Sequence, residues 1–205
     1  MPGVNFSYTF FFEITDTPLI ISARKKGANY NMTTNEKENY SLQIIKTNDL
    51  IRKFFPNATK LEHVTDKERQ LAGVDLIVYI KVGSAIEPVN IDVKCNYEEN
   101  IPYKGLAIEI RQNGIQTLVP KLTDYQLHIW RHRNGKVDAH LLYYPKILEH
   151  YELLKKGNLN SEFIGCDIKA TKTMRNGVPT GECIIFTPFK GEVCVNSVYG
   201  LKESF

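Results

Sequence analysis

Two short apolar runs that carry charge inside them constrain this chain more than any other feature. They are residues 74–81 (VDLIVYIK) and 89–95 (VNIDVKC). Both are rich in β-branched residues and of strand length, and the intervening stretch 82–88 contains Gly83 and Pro88. They are expected to be neighbouring strands. Successive side chains of a strand leave opposite faces. Asp92 and Lys94 therefore share one face, while Ile91, Val93 and Cys95 point into the opposite layer. Asp75, at the start of the first run, then lies within reach of Asp92. Charged groups in apolar strands are disfavoured unless something pairs with them or coordinates them.

Around this pair the chain of 205 residues, 42% of them hydrophobic, has enough apolar material for one principal core. Residues 10–14 and 18–23, separated by Thr15-Asp16-Thr17, read as a β-hairpin. The Asn- and Thr-rich stretch 27–41 has no apolar period and reads as loop. Thr47 or Asn48 can cap a short helix through Phe55, ended by Pro56, and a loop leads on to Thr65. Thr65-Asp66-Lys67-Glu68 has the form of a capping box opening a helix that stops at Gly73. Further strands are expected at 106–111, 125–130 and 136–143, the last two flanking an Arg133-Asn134-Gly135 turn, with a helix at 148–156 stopped by Gly157. The expected fold class is α/β (α+β), a mixed central β-sheet flanked by helices. Residues 1–47 would form an N-terminal hairpin-and-loop extension, 48–156 the core, and 157–205 a β-rich C-terminal extension packed on it.

Composition removes several classes of function. A net charge of +3 forces neither a nucleic-acid nor a membrane partner, so an anionic substrate must be caught locally. The first residues lack a basic segment followed by an apolar one, and no run approaches the ~20 apolar residues of a membrane span. The expectation is a soluble, intracellular, cytoplasmic protein with no membrane partner. Cys95, Cys166, Cys183 and Cys194 form no CxxC pair and have no nearby His at ligand spacing, which argues for reduced thiols rather than structural zinc. No P-loop, GxGxxG or acyl-transfer arrangement of Ser, His and Asp is present.

What remains is the chemistry of the charged strand face. Hydrolysis of a phosphodiester needs a hard cation to hold a non-bridging oxygen and lower the pKa of the attacking water, and carboxylate oxygens suit Mg²⁺. Asp75 and Asp92 can supply them, with Mn²⁺ as the alternative ion. Lys94 can orient or deprotonate the water and offset charge that builds in the transition state. Against this stands the plain alternative of a solvent-facing strand on which Asp92 and Lys94 are an ordinary surface pair.

The pattern Gly73-Val74-Asp75 followed by Ile91-Asp92-Val93-Lys94 resembles the core of the PD-(D/E)xK, restriction-endonuclease-like nuclease superfamily. There, an acid on one strand is followed by (D/E)xK on the next. The lead-in Glu68-Arg69-Gln70-Leu71-Ala72-Gly73-Val74-Asp75 is similar to the helix-to-strand entry of phage and restriction-type members, and Lys121-Leu122-Thr123-Asp124-Tyr125 resembles their downstream segment. The resemblance covers about residues 48–145. It implies a Mg²⁺-dependent endodeoxyribonuclease with a restriction-endonuclease-like core, in which Asp75, Asp92 and Lys94 are catalytic. It also implies that Gln70 positions a phosphate or the attacking water, and that Glu68 aids the metal. Gln70 can equally hydrogen-bond the sheet end, and Glu68 can simply serve the capping box. Glu109, on the strand after Lys94, either borders the metal cluster or faces water.

Lys121, Arg131, Arg133 and Lys136, around His128 and Trp130, offer cations with an aromatic, the mix that grips a phosphate backbone and stacks a base. Such clusters also occur as solvated turns. The expected partner is DNA, and a homodimer would suit cutting of both duplex strands. The competing reading is a nuclease-fold nucleic-acid-binding module, or an interaction protein of a phage or mobile element, without catalysis.

Overall fold

The computed structural model describes residues 34–97, 106–113, 115–132, 135–157, 169–175, 178–186 and 193–201. The expected hairpin at 10–23, and Arg133, lie outside the described residues. Within them the chain is a mixed α+β fold. It comprises helices α1 (Thr34–Thr47), α2 (Leu50–Phe54), α3 (Lys67–Leu71) and α4 (Tyr144–Lys155). The strands are β1 (Ala58–His63), β2 (Leu76–Val82), β3 (Ala85–Tyr97), β4 (Leu106–Gln112), β5 (Ile115–Gln116), β6 (Tyr125–Arg131), β7 (Val137–Tyr143), β8 (Lys169–Arg175), β9 (Val178–Phe186) and β10 (Cys194–Leu201).

The two apolar runs form the centre of a six-stranded sheet ordered β1-β2-β3-β6-β7-β10. A two-residue turn at Gly83-Ser84, with Gly83 at φ 62°, closes β2 onto β3 in antiparallel register, Val82 opposite Ala85 and Leu76 opposite Ile91. The β3–β6 pairing is parallel and the other pairings are antiparallel, so the sheet is mixed. A second sheet, ordered β5-β4-β9-β8, is separate. The strand carrying Glu109, expected in the same sheet as Lys94, belongs to this second sheet.

Period-two alternation divides the central strands. Leu76 and Val78 of β2, Ile91 of β3, Leu127 and Ile129 of β6, and Val137, Ala139 and Leu141 of β7 form one core with Tyr40, Ile44 and Ile45 of α1 and Leu50, Ile51 and Phe54 of α2. Val93 and Cys95 pack against the same core, as the alternation of β3 predicts. On the opposite face, Trp130 and Leu142 join a second core with Ile108 and Ile110 of β4, Ile184 of β9, and Tyr144, Ile147 and Tyr151 of α4. The central sheet is thus covered on both sides, by helices on one and by α4 with the second sheet on the other.

Several local expectations are corrected. Residues 34–41, expected as loop, are the first turns of α1, because Tyr40, Ile44 and Ile45 make an i, i+4, i+5 stripe that the core buries. Asn48, expected to cap α2, instead finishes α1 by donating its side-chain amide to the Ile44 carbonyl at 3.1 Å, while Asp49 in the left-handed region opens α2. The loop expected before Thr65 contains β1, an edge strand. The cap of α3 is Asp66 rather than Thr65, its carboxylate accepting from the Arg69 amide at 2.9 Å. Helix α4 starts at Tyr144 rather than at the expected Leu148, with Pro145 in its first turn where no amide donor is needed. Part of the C-terminal segment, β10, pairs with β7 as a strand of the central sheet itself. No described helix is long and apolar enough to cross a membrane.

Candidate metal and acid–base site

The register of the β2–β3 hairpin brings the two acids together. Leu76 faces Ile91, so Asp75, one residue before β2, falls opposite Asp92. The Asp75 amide donates to the Ile91 carbonyl at 2.9 Å, and the Asp75 carbonyl accepts from Val64 at 2.9 Å, which pins its backbone on both sides. Val93 lies beyond the last β2–β3 pair, and its amide donates to Asp75 Oδ2 at 2.7 Å. A carboxylate has thus taken the place of a strand partner.

Asp92 is 2% exposed. Lys94 Nζ meets its Oδ1 at 2.5 Å, and the Gln126 amide donates to its Oδ2 at 3.0 Å. The Lys94 side chain remains 46% exposed, so the ammonium bridges a buried carboxylate and solvent. Burial, together with the like charge of Asp92, pushes the Asp75 carboxyl up to about 6, against the opposing effects of the Val93 hydrogen bond and Lys94. Two crowded carboxylates with one ammonium favour a proton or an additional cation between them.

Residues 121–124 pack against the turn that leads into Asp75 and against Asn90 of β3. Gly73 has φ 82°, and a Cβ there would lie 2.7 Å from both Lys121 Cδ and Thr123 Oγ1. Only glycine suits both the conformation and the space. Thr123 Oγ1 donates to the Gly73 carbonyl at 2.5 Å, and Asn90 Nδ2 donates to the Leu122 carbonyl at 2.9 Å. Asp124 Oδ2 accepts from the Asn90 amide at 2.8 Å. The stem of Lys121 is thereby laid over the turn that leads into Asp75. Tyr144 closes the inner side, donating its hydroxyl to the Val119 carbonyl at 2.7 Å. Burial and the Asp92 charge push its pKa up to about 12.

The structure brings Asp75, Asp92 and Lys94 together, and packs the stem of Lys121 on the Gly73 turn. Glu109 faces solvent on β4, where partial burial raises its pKa while Lys94 and Lys121 act to lower it. It sits in the field of both lysines. Glu68 is exposed in the first turn of α3, and Gln70 donates its amide to the Val64 carbonyl at 2.9 Å, tying α3 to the end of β1. Among the described residues no three of His, Cys, Asp and Glu form a group that could hold a metal ion. The carboxylate pair is the donor set that the described residues bring together.

Among the described residues the structure does not bring the expected basic-aromatic cluster together, and its Arg133 lies outside them. Arg131 follows Leu127 and Ile129 in the alternation of β6, and its guanidinium carbon lies 5.9 Å from the centre of the Tyr40 ring on α1. That is the face opposite Asp92. Lys136 is exposed beyond the far end of β6, where its carbonyl accepts from the His132 amide at 2.8 Å. Trp130 is 8% exposed within the second core and His128 is 2% exposed, so neither offers a ring on which a base can stack.

The residue missed from sequence is Gln126, which holds the second oxygen of Asp92. The signal was present: Gln126 and His128 are polar at alternate positions of the apolar strand YQLHIWR, the same pattern that marks Asp92 and Lys94. Comparison with protein-family models, curated proteins and solved structures finds no match.

Proposed function

We propose that this chain is a metal-dependent nuclease acting on DNA, with a PD-(D/E)xK-like site formed by Asp75, Asp92 and Lys94. The observation that carries the reading is the meeting of Asp75 and Asp92 across an antiparallel hairpin, with Lys94 on the same face as Asp92 and in contact with it. A mixed sheet in which β2 and β3 are antiparallel and β3 runs parallel to β6 supports a restriction-endonuclease-like core.

The donor set suits a hard divalent cation. Carboxylate oxygens are its preferred ligands, and the raised Asp75 carboxyl marks a place where added positive charge is favourable. Asp75 and Asp92 would hold Mg²⁺ or Mn²⁺. When bound, such an ion supplies Lewis-acid polarisation of a phosphoryl oxygen and activation of water. The chain's own residues do the rest. Asp75, pinned by Val93, and Asp92, pinned by Gln126, keep their carboxylates in place without reorganisation. Lys94 places its ammonium where negative charge grows on a phosphate in the transition state. Lys121, its stem packed on the Gly73 turn, can bind a neighbouring phosphate of the substrate. A homodimer would pair two such sites for duplex cutting.

One observation favours the second reading, nucleic-acid binding without cleavage: among the described residues no third acidic ligand joins the carboxylate pair, and Lys94 already partly neutralises it. Incubation with supercoiled and linear DNA, single-stranded DNA and RNA, in Mg²⁺, Mn²⁺ or EDTA, separates the two. The nuclease reading expects metal-dependent cleavage lost in Asp92→Ala and Lys94→Ala. Retention of nucleic acid without cleavage under every metal condition would move the assignment to a binding module.

A further inference from the structure

We infer that Gln126, held by His128, is a positioning residue for Asp92, and that a buried polar ladder across the central sheet sets the orientation of the metal-binding carboxylate. This rests on the metal-site reading above and deepens it. The ladder follows from register. Asp92 pairs with Gln126 and Lys94 with His128 in the parallel β3–β6 ladder, and His128 pairs with His140 across β6–β7. All of these side chains leave the same face of the sheet. Asp92, Gln126, His128 and His140 are each 4% exposed or less.

The hydrogen-bond directions are forced by chemistry. An amide NH₂ can only donate, and Gln126 turns its NH₂ toward Asp92 Oδ2, at 3.0 Å. Its carbonyl oxygen then faces His128 Nε2 at 3.3 Å. An oxygen can only accept, so His128 must carry its proton on Nε2. Burial, with the nearby charges of Lys94 and His140, pushes His128 down to about 3 and keeps the ring neutral. Farther along the same face, His140 Nδ1 bonds Ser197 Oγ of β10 at 2.9 Å.

The consequence for Asp92 is a carboxylate with one oxygen on Lys94, the other on Gln126, and lone pairs left on both. A ligating group oriented in this way loses about 10–100-fold in metal affinity or activity when its outer partner is removed. Gln126→Met keeps the approximate side-chain volume and deletes both hydrogen bonds. It leaves Asp92 its charge and its lysine but not its orientation.

The test is Mn²⁺ titration by calorimetry of the full chain as wild type, Asp92→Asn and Gln126→Met, with DNA cleavage kinetics and the ¹⁵N spectrum of the His128 ring. Expected are Mn²⁺ binding lost in Asp92→Asn, affinity weakened about 10–100-fold in Gln126→Met, a lower kcat with KM for DNA unchanged, and an Nε2-protonated His128 in the wild type. A Gln126→Met chain that binds Mn²⁺ and cleaves as the wild type does overturns the positioning role while leaving the nuclease reading intact. Absence of Mn²⁺ binding in the wild type sinks the metal site itself, and the positioning role with it. The ring spectrum needs no variant. A His128 protonated on Nδ1 would reverse the amide of Gln126 and overturn the ladder even if Gln126→Met does not fold.

Discussion

The two faces of the central sheet differ in chemistry where β3, β6 and β7 run side by side. Toward α1 and α2, Leu76, Val78, Ile91, Leu127, Ile129, Val137, Ala139 and Leu141 are 2% exposed or less. On the other face of the same strands, Asp92, Gln126, His128 and His140 are 4% exposed or less. Each large apolar side chain on the first face contributes roughly 1.5–3 kcal/mol by leaving water. Each polar group on the second costs a comparable amount unless a partner restores the hydrogen bonds it lost. The first face is uniformly apolar, whereas the second, although its Trp130 and Leu142 join the second core, also holds a polar arrangement that an apolar replacement would stabilise more cheaply. The cost is intelligible if that arrangement holds Asp92 for chemistry.

The comparison is broken most severely from its apolar side. Leu127→Ala deletes a side chain with no exposed surface in the strand that carries Gln126 and His128, and should cost about 2–5 kcal/mol. Denaturant unfolding measures it directly. At a temperature where the variant is still folded, cleavage per folded molecule should stay near that of the wild type, since Leu127 points away from Asp92. A much smaller loss of stability would mean that the α1–α2 layer does not seal this face.

Lys94→Ala applies the opposite test. Its side chain is 46% exposed, but its ammonium is the ion partner of the 2% exposed Asp92, so removing it should cost about 1–3 kcal/mol of stability. On the proposed nuclease reading, removing the ammonium should lower kcat by about 10²–10³-fold, as loss of one transition-state donor does. If kcat survives while KM rises, Lys94 binds substrate uniformly rather than stabilising the transition state.

These faces were unequally legible in the sequence. Asp75, Asp92 and Lys94 stood out because charge inside β-branched runs is rare, and a period of two then fixed which of them share a face. The alternation of β6 was equally plain, but His128 and Trp130 were grouped with neighbouring cations by proximity along the chain, which says nothing about faces, and Gln126 was passed over. Helix α1 was hidden because its buried stripe begins only at Tyr40, after six polar residues. Strand β1 has no fully buried residue and is defined by pairing with β2, a non-local fact. Glu109 was placed by sequence order beside Lys94, yet sheet membership is decided by long-range pairing with β9.

Acid should weaken the polar face before the apolar one. Burial is the chief cause that holds His128 down to about 3 and His140 down to about 4, both below an unfolded value of 6.5. The unfolded chain therefore binds more protons between these limits. Stability is fully present above pH 6.5 and is lost as pH falls toward 4. The raised Asp75 carboxyl opposes this in part. The net loss between pH 6.5 and 5 should be on the order of 2–3 kcal/mol, read from urea midpoints. His140→Asn should flatten part of that slope, and an unchanged slope would show that His140 takes up its proton without unfolding.

Asp75→Asn gives the smallest effect and the sharpest view of the carboxylate pair. Asparagine keeps an oxygen to accept from the Val93 amide and removes one of the two crowded charges. With its carboxyl pushed from 3.8 up to about 6, native Asp75 holds its proton more tightly than the unfolded chain does. The wild type therefore loses stability as pH rises from about 4 to 6 and stays lower above that range. The asparagine variant lacks this loss. The two should be equally stable at pH 4, and the variant should be ahead at pH 8 in EDTA by on the order of 1–2 kcal/mol, discounted for the part of Asp75 that water reaches. Millimolar Mg²⁺ should then narrow the gap, because a cation held by the pair stabilises only the wild type. A variant that gains nothing at pH 8 would mean that Lys94 already neutralises the pair, and a gap indifferent to Mg²⁺ would mean that the crowding serves no metal.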